Sequence, residues 1–160
     1  MGCGTGVATA LLHRAGVEAF GVDLSANMIA EARRRNPGLQ FSVGSMLDLD
    51  LADGSVGGVC CWYSIIHVPD DHLPDALGEF HRVLAPGGLV LLAFQVGDQP
   101  RQLTSAFGHQ VHLTFYRRQP GYVGELLACA GFRVYTQLIR QPDGDGFEST
   151  PQAYLIAHKT

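Results

Sequence analysis

The stretch Met1-Gly2-Cys3-Gly4-Thr5-Gly6, which opens the chain, decides the fold. An apolar stretch at helical spacing follows its three alternating glycines, and Asp23 stands at the end of the next apolar run. Glycine lets the backbone approach a ligand closely and adopts the positive φ values that a sharp strand-to-helix turn requires. These features indicate a nucleotide-binding turn between a strand and a helix, with Asp23 placed to accept hydrogen bonds from a ribose diol.

The spacing of the glycines separates two classes of nucleotide. A dinucleotide fingerprint reads G-x-G-x-x-G or G-x-G-x-x-A, and counted from Gly2 its third small residue falls on Val7. The β-branched side chain of Val7 would hold the helix away from the strand. The pattern in this chain is G-x-G-x-G instead. An NAD-dependent oxidoreductase therefore stays open only as the second alternative.

The apolar pattern gives the order of the secondary-structure elements. Helices are predicted over residues 7–15, 26–35, 73–84 and 120–130. Strands are predicted over residues 17–22, 39–43, 56–62, 89–96, 111–116, 132–140 and 152–158, the last two forming a closing hairpin with a long turn at 142–151. Strands that alternate with helices predict an α/β domain.

Five segments of this pattern resemble, in order, the motifs of the class I S-adenosylmethionine-dependent methyltransferases, including their small actinobacterial-type members. They are the glycine turn and residues 21–28, 44–49, 60–68 and 82–94. The resemblance implies a Rossmann-like, doubly wound sheet of the class I methyltransferase type with an antiparallel C-terminal strand. It also implies S-adenosyl-L-methionine as the cofactor and S-adenosyl-L-homocysteine as the product.

The resemblance further implies which residues contact the cofactor. Asp23 would bind the ribose hydroxyls, and Leu24 and Met28 would lie near the adenine. Because Ser45 stands where the family usually has an acid, the backbone N–H and side chain of Met46 are the preferred contacts at the adenine edge. The implied cofactor-binding set is Gly2, Cys3, Gly4, Thr5, Gly6, Asp23, Leu24, Ser25, Met28, Ser45, Met46, Trp62, Tyr63 and Ser64.

His67 is the candidate catalytic base. A sulfonium is already a strong methyl electrophile, so the protein chiefly aligns the acceptor and excludes water, and a base is needed only for a hydroxyl or a protonated amine. Histidine titrates in the required range, and many small-molecule O-methyltransferases of the family also carry histidine at this position. A histidine that only hydrogen-bonds backbone and shapes the site is an equal alternative. Trp62 and Tyr63 are predicted to form a wall around the sulfonium, because aromatic faces attract cations.

Two stretches are predicted to form the acceptor side. Residues 56–62 read as a strand buried on both faces, so the residues after it lie at the carboxyl edge of the sheet, where ligands of open α/β sheets bind. Residues 97–110 are polar and long for a connection, which is typical of a substrate-covering loop, and we assign that role to residues 97–118. Side chains that could line the acceptor pocket, or simply face out from a half-buried strand, are Arg101, His112, Thr114, Tyr116, Arg117 and Arg118.

The start of the chain raises an alternative to catalysis. In the family a strand with an acidic residue precedes the glycine turn, whereas this chain begins at Met1. We therefore expect one methyltransferase domain over residues 1–160 with its first strand truncated. Since that strand is central in a doubly wound sheet, its loss should expose two strand edges. A domain that binds the cofactor without catalysis is the first alternative.

Composition limits the remaining classes. The 160 residues are 46% hydrophobic, which suits one core, and the net charge of −4 gives no electrostatic footprint for nucleic acid. The Asn-Pro-Pro-Tyr signature of nucleic-acid amino-methylating enzymes does not occur, so we expect a small-molecule acceptor. The chain contains no C-x-x-C pair, so we predict no metal site, and Cys60, Cys61 and Cys129 are predicted to be core residues. Without a signal peptide or a bilayer-spanning run, we expect a cytoplasmic, non-membrane protein; whether it is a monomer or a dimer stays open.

Overall fold

The computed structural model describes residues 1–106, 108–144 and 148–160. Residue 107 of the predicted covering segment and residues 145–147 of the predicted turn at 142–151 lie outside the described residues. The helices are α1 (Val7–Arg14), α2 (Ala26–Arg35), α3 (Leu73–Val83) and α4 (Pro120–Cys129). The strands are β1 (Gly21–Asp23), β2 (Phe41–Val43), β3 (Val56–Trp62), β4 (Leu84–Gln95), β5 (Arg101–Ala106), β6 (His109–Phe115), β7 (Phe132–Arg140) and β8 (Gln152–Lys159). A short 3₁₀ helix at Ile65–His67 follows β3.

The described strands form three sheets. The largest has the order β3-β4-β8-β7, while β1 pairs with β2 and β5 pairs with β6. β3 and β4 are parallel, and β8 runs antiparallel to both β4 and β7. The predicted α/β class with an antiparallel C-terminal strand is confirmed.

Within the described residues, β1 and β3 each pair along one edge only. The first three residues of the chain lie between them. The amino group of Met1 donates to the carbonyl of Cys60 on β3 at 2.6 Å, and the N–H of Cys3 donates to the carbonyl of Val22 on β1 at 3.0 Å. The two expected strand edges are therefore present, and the start of the glycine turn bridges them at their carboxyl ends.

The main core lies between the large sheet and helices α3 and α4. Leu73, Ala76, Leu77, Phe80 and Val83 recur at helical spacing on α3 and are all fully buried. They belong to one cluster with the buried residues of β3, β4, β8 and α4. This packing fixes the position of β3, whose carboxyl end carries the candidate site.

The second, smaller core joins α2 to β2, which is the pairing partner of β1. Ile29 and Ala32 of α2 pack against Phe41 of β2. The helix begins at Ser25, whose Oγ accepts a hydrogen bond from the N–H of Met28 at 3.3 Å, as expected for an N-cap. The carboxyl end of β1 is therefore held beside the start of a helix.

The prediction that β3 is buried on both faces is wrong. Val59 and Cys61 face the core, but Gly57, Gly58 and Trp62 are exposed, and Trp62 is 47% accessible. β3 is an edge strand of its sheet, and both helices of the main core cover the same face. The expected burial of Cys129 is also wrong, since this residue is exposed on α4.

The prediction of an irregular loop before residue 111 is wrong as well. β5 and β6 form an antiparallel hairpin in which Arg101 pairs with Phe115 and Leu103 with Leu113. The side chains show little apolar alternation, so the ladder between the two backbones carries the structure. Among the described residues, no helix has the length and apolar character needed to span a bilayer.

Candidate active site

The glycine turn is shaped by both packing and backbone conformation. Gly2 has φ +62°, and a Cβ built on it would stand 2.4 Å from the Cβ of Ser64. Gly4 has φ +53°, but a Cβ there would meet no atom within 4 Å. Gly2 is thus fixed by close contact with the loop after β3, whereas Gly4 faces open space that a ligand can fill.

Asp23 connects the carboxyl end of β1 to the glycine turn. Its Oδ2 accepts a hydrogen bond from the N–H of Gly4 at 2.8 Å, and its Oδ1 accepts one from the N–H of Ser25 at 2.9 Å. Each carboxylate oxygen can accept more than one hydrogen bond, so the side chain retains acceptor capacity for a ribose diol. The backbone bonds orient it without using up that capacity.

A large cavity of about 2100 Å³ is lined both by the glycine turn with Asp23 and by the residues that follow β3. It also extends into the groove between β1 and β3. Gly6 does not line it and instead precedes α1 as a buried residue. The predicted residues that line it are Gly2, Cys3, Gly4, Thr5, Asp23, Leu24, Ser25, Met28, Ser45, Met46, Trp62, Tyr63, Ser64 and His67. Their individual roles stay predictions.

Three aromatic side chains form a group at the end of β3. Tyr63 is the one non-glycine residue with positive φ in the described part of the chain, at +55°. Its hydroxyl lies 3.0 Å from that of Tyr154 on β8, and the ring of Trp62 lies 5.4 Å from the ring of Tyr154. Burial and the hydrogen bond to Tyr154 raise the pKa of the Tyr63 phenol well above its ordinary value. Tyr63 therefore stays protonated and acts as a fixed polar wall of the cavity.

His67 ends the 3₁₀ helix after β3 and is exposed to solvent, although one side of its ring faces β6. Its ring lies 5.2 Å from that of Phe115 on β6. Burial lowers the pKa of His67, while a hydrogen bond with the backbone of Thr114 and the charge of Asp23 act in the opposite direction. The imidazole is therefore neutral near pH 7, which is the form that accepts a proton.

The predicted arginines do not line the cavity. Arg118 is almost fully buried, at 3% accessible, and Arg117 donates to the Oγ of Ser149 at 2.9 Å. Of the described residues that line the cavity, none is a lysine or an arginine. The candidate residues of the hairpin that do line it are His112, Thr114 and Tyr116. Its wall is therefore apolar, aromatic and weakly acidic.

Two interactions were not predicted from the sequence. Tyr154 lies in the closing strand, which was predicted only as a structural element, yet it contacts both Trp62 and Tyr63. Arg118 was assigned to the pocket, but its guanidinium binds the loop beneath the pocket. No local sequence signal identifies either partner, because each contact joins distant parts of the chain.

Comparisons with known proteins identify the family. The family described as "Methyltransferase domain" matches residues 1–88. The fold is that of a solved SAM-dependent methyltransferase from Methanosarcina mazei, with a TM-score of 0.86 at 19% identity over 99% of this chain and 89% of that one. The chain belongs to the methyltransferase domain family, and its class is that of the S-adenosylmethionine-dependent enzymes with a Rossmann-like fold. A relative from Mycolicibacterium smegmatis, described as a probable S-adenosylmethionine-dependent methyltransferase, is 31% identical over 83% of this chain and 50% of its own length.

Two curated relatives with different names illustrate the range of similar proteins. A malonyl-[acyl-carrier protein] O-methyltransferase of Pectobacterium atrosepticum is 34% identical over 66% of this chain and 41% of its own length. A demethylmenaquinone methyltransferase of Thermus thermophilus is 35% identical over 84% of this chain and 60% of its own length. The chain thus spans less than two thirds of the relatives that it matches.

Solved structures also show that the fold hosts several activities. A Burkholderia thailandensis 1,6-didemethyltoxoflavin-N1-methyltransferase with bound S-adenosylhomocysteine has a TM-score of 0.77 at 20% identity, covering 99% of this chain and 68% of its own. The [4+2]-cyclase SpnF has the same TM-score at 19% identity over 99% of this chain and 73% of its own. The fold therefore does not determine the reaction, which depends on the residues of the site.

Proposed function

We propose that this chain transfers the methyl group of S-adenosylmethionine to a hydroxyl or amine of a small molecule and releases S-adenosylhomocysteine. The observation that carries the proposal is that Asp23 with the glycine turn and His67 with Trp62 line one cavity at the carboxyl ends of β1 and β3. This brings a nucleoside-binding group and a proton-accepting group to the same open space.

The residues on the β1 side fit the cofactor. The open space above Gly4, the remaining acceptor capacity of Asp23 and the polar edge at Ser45 and Met46 suit an amino-acid portion, a ribose and an adenine respectively. When bound, S-adenosylmethionine supplies a methyl group on a sulfonium, and the C–S bonding pair stays with sulfur as the thioether forms. The aromatic face of Trp62 favours the positive charge.

His67 and the hairpin act on the acceptor. The neutral imidazole of His67 takes the proton of a hydroxyl while the oxygen forms its bond to the methyl carbon, so charge does not accumulate on the oxygen. The Tyr63 phenol, held by Tyr154, fixes one wall beside it. We propose that the hairpin within residues 97–118 covers this side of the cavity, since His112, Thr114 and Tyr116 line it.

The charge of the wall supports a particular kind of acceptor. Among the described lining residues there is no lysine or arginine to pair with a phosphate or carboxylate, and the chain carries a net charge of −4. We propose an acceptor without formal negative charge, and not a nucleic acid. The cytoplasmic location stays a prediction of the sequence.

A second candidate function is cofactor binding without methyl transfer. The observation that favours it is the division of the sheet, because β1 and β3 lie in separate sheets with no ladder of backbone hydrogen bonds between them. A loosely joined site can bind a cofactor and still fail to align an acceptor, since alignment supplies most of the rate.

Calorimetric titration with S-adenosylhomocysteine tests both candidates. The Asp23→Ala variant is compared with Asp50→Ala, which removes an equal charge from an exposed residue that does not line the cavity. We expect binding to be lost in the first variant and retained in the second. Binding of NAD in place of S-adenosylhomocysteine would contradict the proposal.

The second step is a search for transfer. The chain is incubated with S-adenosylmethionine and a panel of neutral phenols and amines, and S-adenosylhomocysteine is measured by mass spectrometry. Acceptor-dependent product that disappears in His67→Gln supports methyl transfer. Cofactor binding without product across the panel favours the second candidate.

A further inference from the structure

Arg118 is a buried cation that binds the loop carrying His67. It lies just after β6 and is 3% accessible. Its Nη1 donates to the carbonyl of Ile65 at 2.9 Å, and its Nη2 donates to the carbonyl of Val68. Its Nε donates to Asp70 at 2.8 Å, which neutralises the charge. The two carbonyl contacts flank His67 on both sides in sequence.

The geometry of these contacts requires a guanidinium. Within the 3₁₀ helix at Ile65–His67 the carbonyl of Ile65 accepts a hydrogen bond from the N–H of Val68 at 3.0 Å, whereas the carbonyls of Ile66 and Val68 accept from donors outside it. A guanidinium presents its N–H groups in a rigid planar fork, whereas an ammonium is a single point charge on a flexible stem. Lysine could keep the ion pair with Asp70 but could not hold both carbonyls in the same arrangement.

The same residue joins the loop to the base of the β5–β6 hairpin. The N–H of Tyr116 donates to the carbonyl of Ile66 at 2.7 Å, and the guanidinium of Arg118 lies 5.4 Å from the centre of the Tyr116 ring. Phe115 packs against the imidazole of His67. The loop and the hairpin therefore meet around one buried cation.

We propose that Arg118 is a positioning residue, which sets the orientation of the His67 imidazole by clamping the carbonyls on either side of it. Its importance for the reaction rests on the proposed role of His67. Arg118 itself does not line the cavity, so it acts through the loop and touches neither the cofactor nor the acceptor.

Histidine-selective NMR tests this inference without relying on turnover. The imidazole signal of His67 is assigned by its disappearance in His67→Gln and followed through a pH titration in the wild type and in Arg118→Lys. The matched control is Arg117→Lys, which changes the neighbouring arginine that contacts Ser149 instead of the loop. The other ionisable groups on residues that line the cavity with His67 are the amino group of Met1 and the side chains of Cys3, Glu18, Asp23, Cys60, Tyr63, His112 and Tyr116.

We expect the His67 signal in Arg118→Lys to broaden or split, and its titration midpoint to move toward that of an ordinary histidine. The Arg117→Lys spectrum should match the wild type, and affinity for S-adenosylhomocysteine should be unchanged in both. Once an acceptor is known, kcat of Arg118→Lys should fall about 10- to 100-fold, because small misplacements of a reacting group are costly. An unchanged His67 signal in folded Arg118→Lys overturns the inference.

A second variant keeps the test decisive if Arg118→Lys does not fold. Asp70 is 60% accessible on its side chain, so Asp70→Asn removes the charge partner while leaving the buried guanidinium in place. We expect a smaller change of the His67 signal in the same direction, and no change would overturn the inference. If His67→Gln retains full activity, the role of His67 as a base fails, while the NMR result still decides whether Arg118 positions it.

Discussion

The two halves of the cavity are built from different kinds of contact. On the β1 side, the carboxylate of Asp23 binds backbone N–H groups no more than 19 residues away. On the β3 side, Arg118 reaches the carbonyl of a residue 53 positions away, and Tyr63 meets a tyrosine 91 positions away. One half is a local backbone structure, and the other is assembled from side chains of distant elements.

This difference predicts how each half responds to change. A local turn depends on the conformations allowed to a few residues, so a single added methyl group should disturb it. An assembled side-chain network distributes its contacts over several elements. Each substitution there should therefore cost less folding stability, but it should alter the orientation of the groups that the network holds. Binding of the cofactor and alignment of the acceptor should therefore fail separately.

The largest expected effect is on the assembled half, where chemistry occurs. His67→Gln should lower kcat by about 10²- to 10⁴-fold, the usual contribution of a general base, while affinity for S-adenosylhomocysteine is unchanged. Because burial lowers the pKa of His67, the wild-type rate should rise with pH through a midpoint below that of an ordinary histidine, and the variant should lose this limb. The measurement is the pH profile of kcat, with His72→Gln on the exposed start of α3 as the control.

An unchanged rate in His67→Gln would contradict the base role. In that case the histidine shapes the site through Phe115 and the Thr114 backbone, and the comparison between the two halves would rest on binding alone. Comparison of kcat with KM separates the two roles, because loss of a base should lower kcat alone, whereas loss of a shaping residue should change KM as well.

The next effect is on the local half and compares two glycines of one turn. Gly2→Ala puts a Cβ 2.4 Å from the Cβ of Ser64 at positive φ, so the free energy of unfolding should fall by about 2–4 kcal/mol. Gly4→Ala has the same backbone strain but no neighbour within 4 Å, so it should cost only about 1 kcal/mol. Urea denaturation followed by circular dichroism measures both.

Relative to its cost in folding stability, Gly4→Ala should have the larger effect on cofactor binding. The Cβ of Gly4→Ala projects into the cavity, so affinity for S-adenosylhomocysteine should fall although the fold is nearly intact. If Gly4→Ala binds normally, the ligand does not approach this part of the turn. Equal stability of the two variants would mean that the contact between Gly2 and Ser64 relaxes easily.

The same contrast explains what the sequence could predict. The glycine turn, α2 over Ala26–Arg35 and β3 over Val56–Trp62 were all predicted, and the structure confirms the bounds of the last two. Their signals are local, since they consist of alternating glycines, apolar residues at helical spacing and a continuous apolar run. β1 was predicted over residues 17–22 but is found only at Gly21–Asp23, since its bounds depend on where β2 pairs with it.

Pairing between distant segments accounts for the remaining errors. The strand after α3 was predicted over residues 89–96, yet β4 extends from Leu84 because that residue pairs with Val56. The β5–β6 hairpin has no strong alternation, so its ladder could not be anticipated. The clamp formed by Arg118 was missed for the same reason, since a single arginine in a sequence does not reveal which carbonyls it will reach.

The smallest expected effect comes from removing the hydrogen bond between Tyr63 and Tyr154 in the assembled half. Tyr154→Phe removes the hydrogen bond between the phenols and should lower the free energy of unfolding by about 0.5–1.5 kcal/mol, with Tyr135→Phe on the exposed part of β7 as the control. The pKa of Tyr63 should fall toward its ordinary value but stay raised, because burial is the larger cause of its shift. Ultraviolet difference titration measures this change. A pKa of Tyr63 that does not move in Tyr154→Phe would mean that burial alone keeps the phenol protonated, and that β8 supports the cavity wall only through ring contacts.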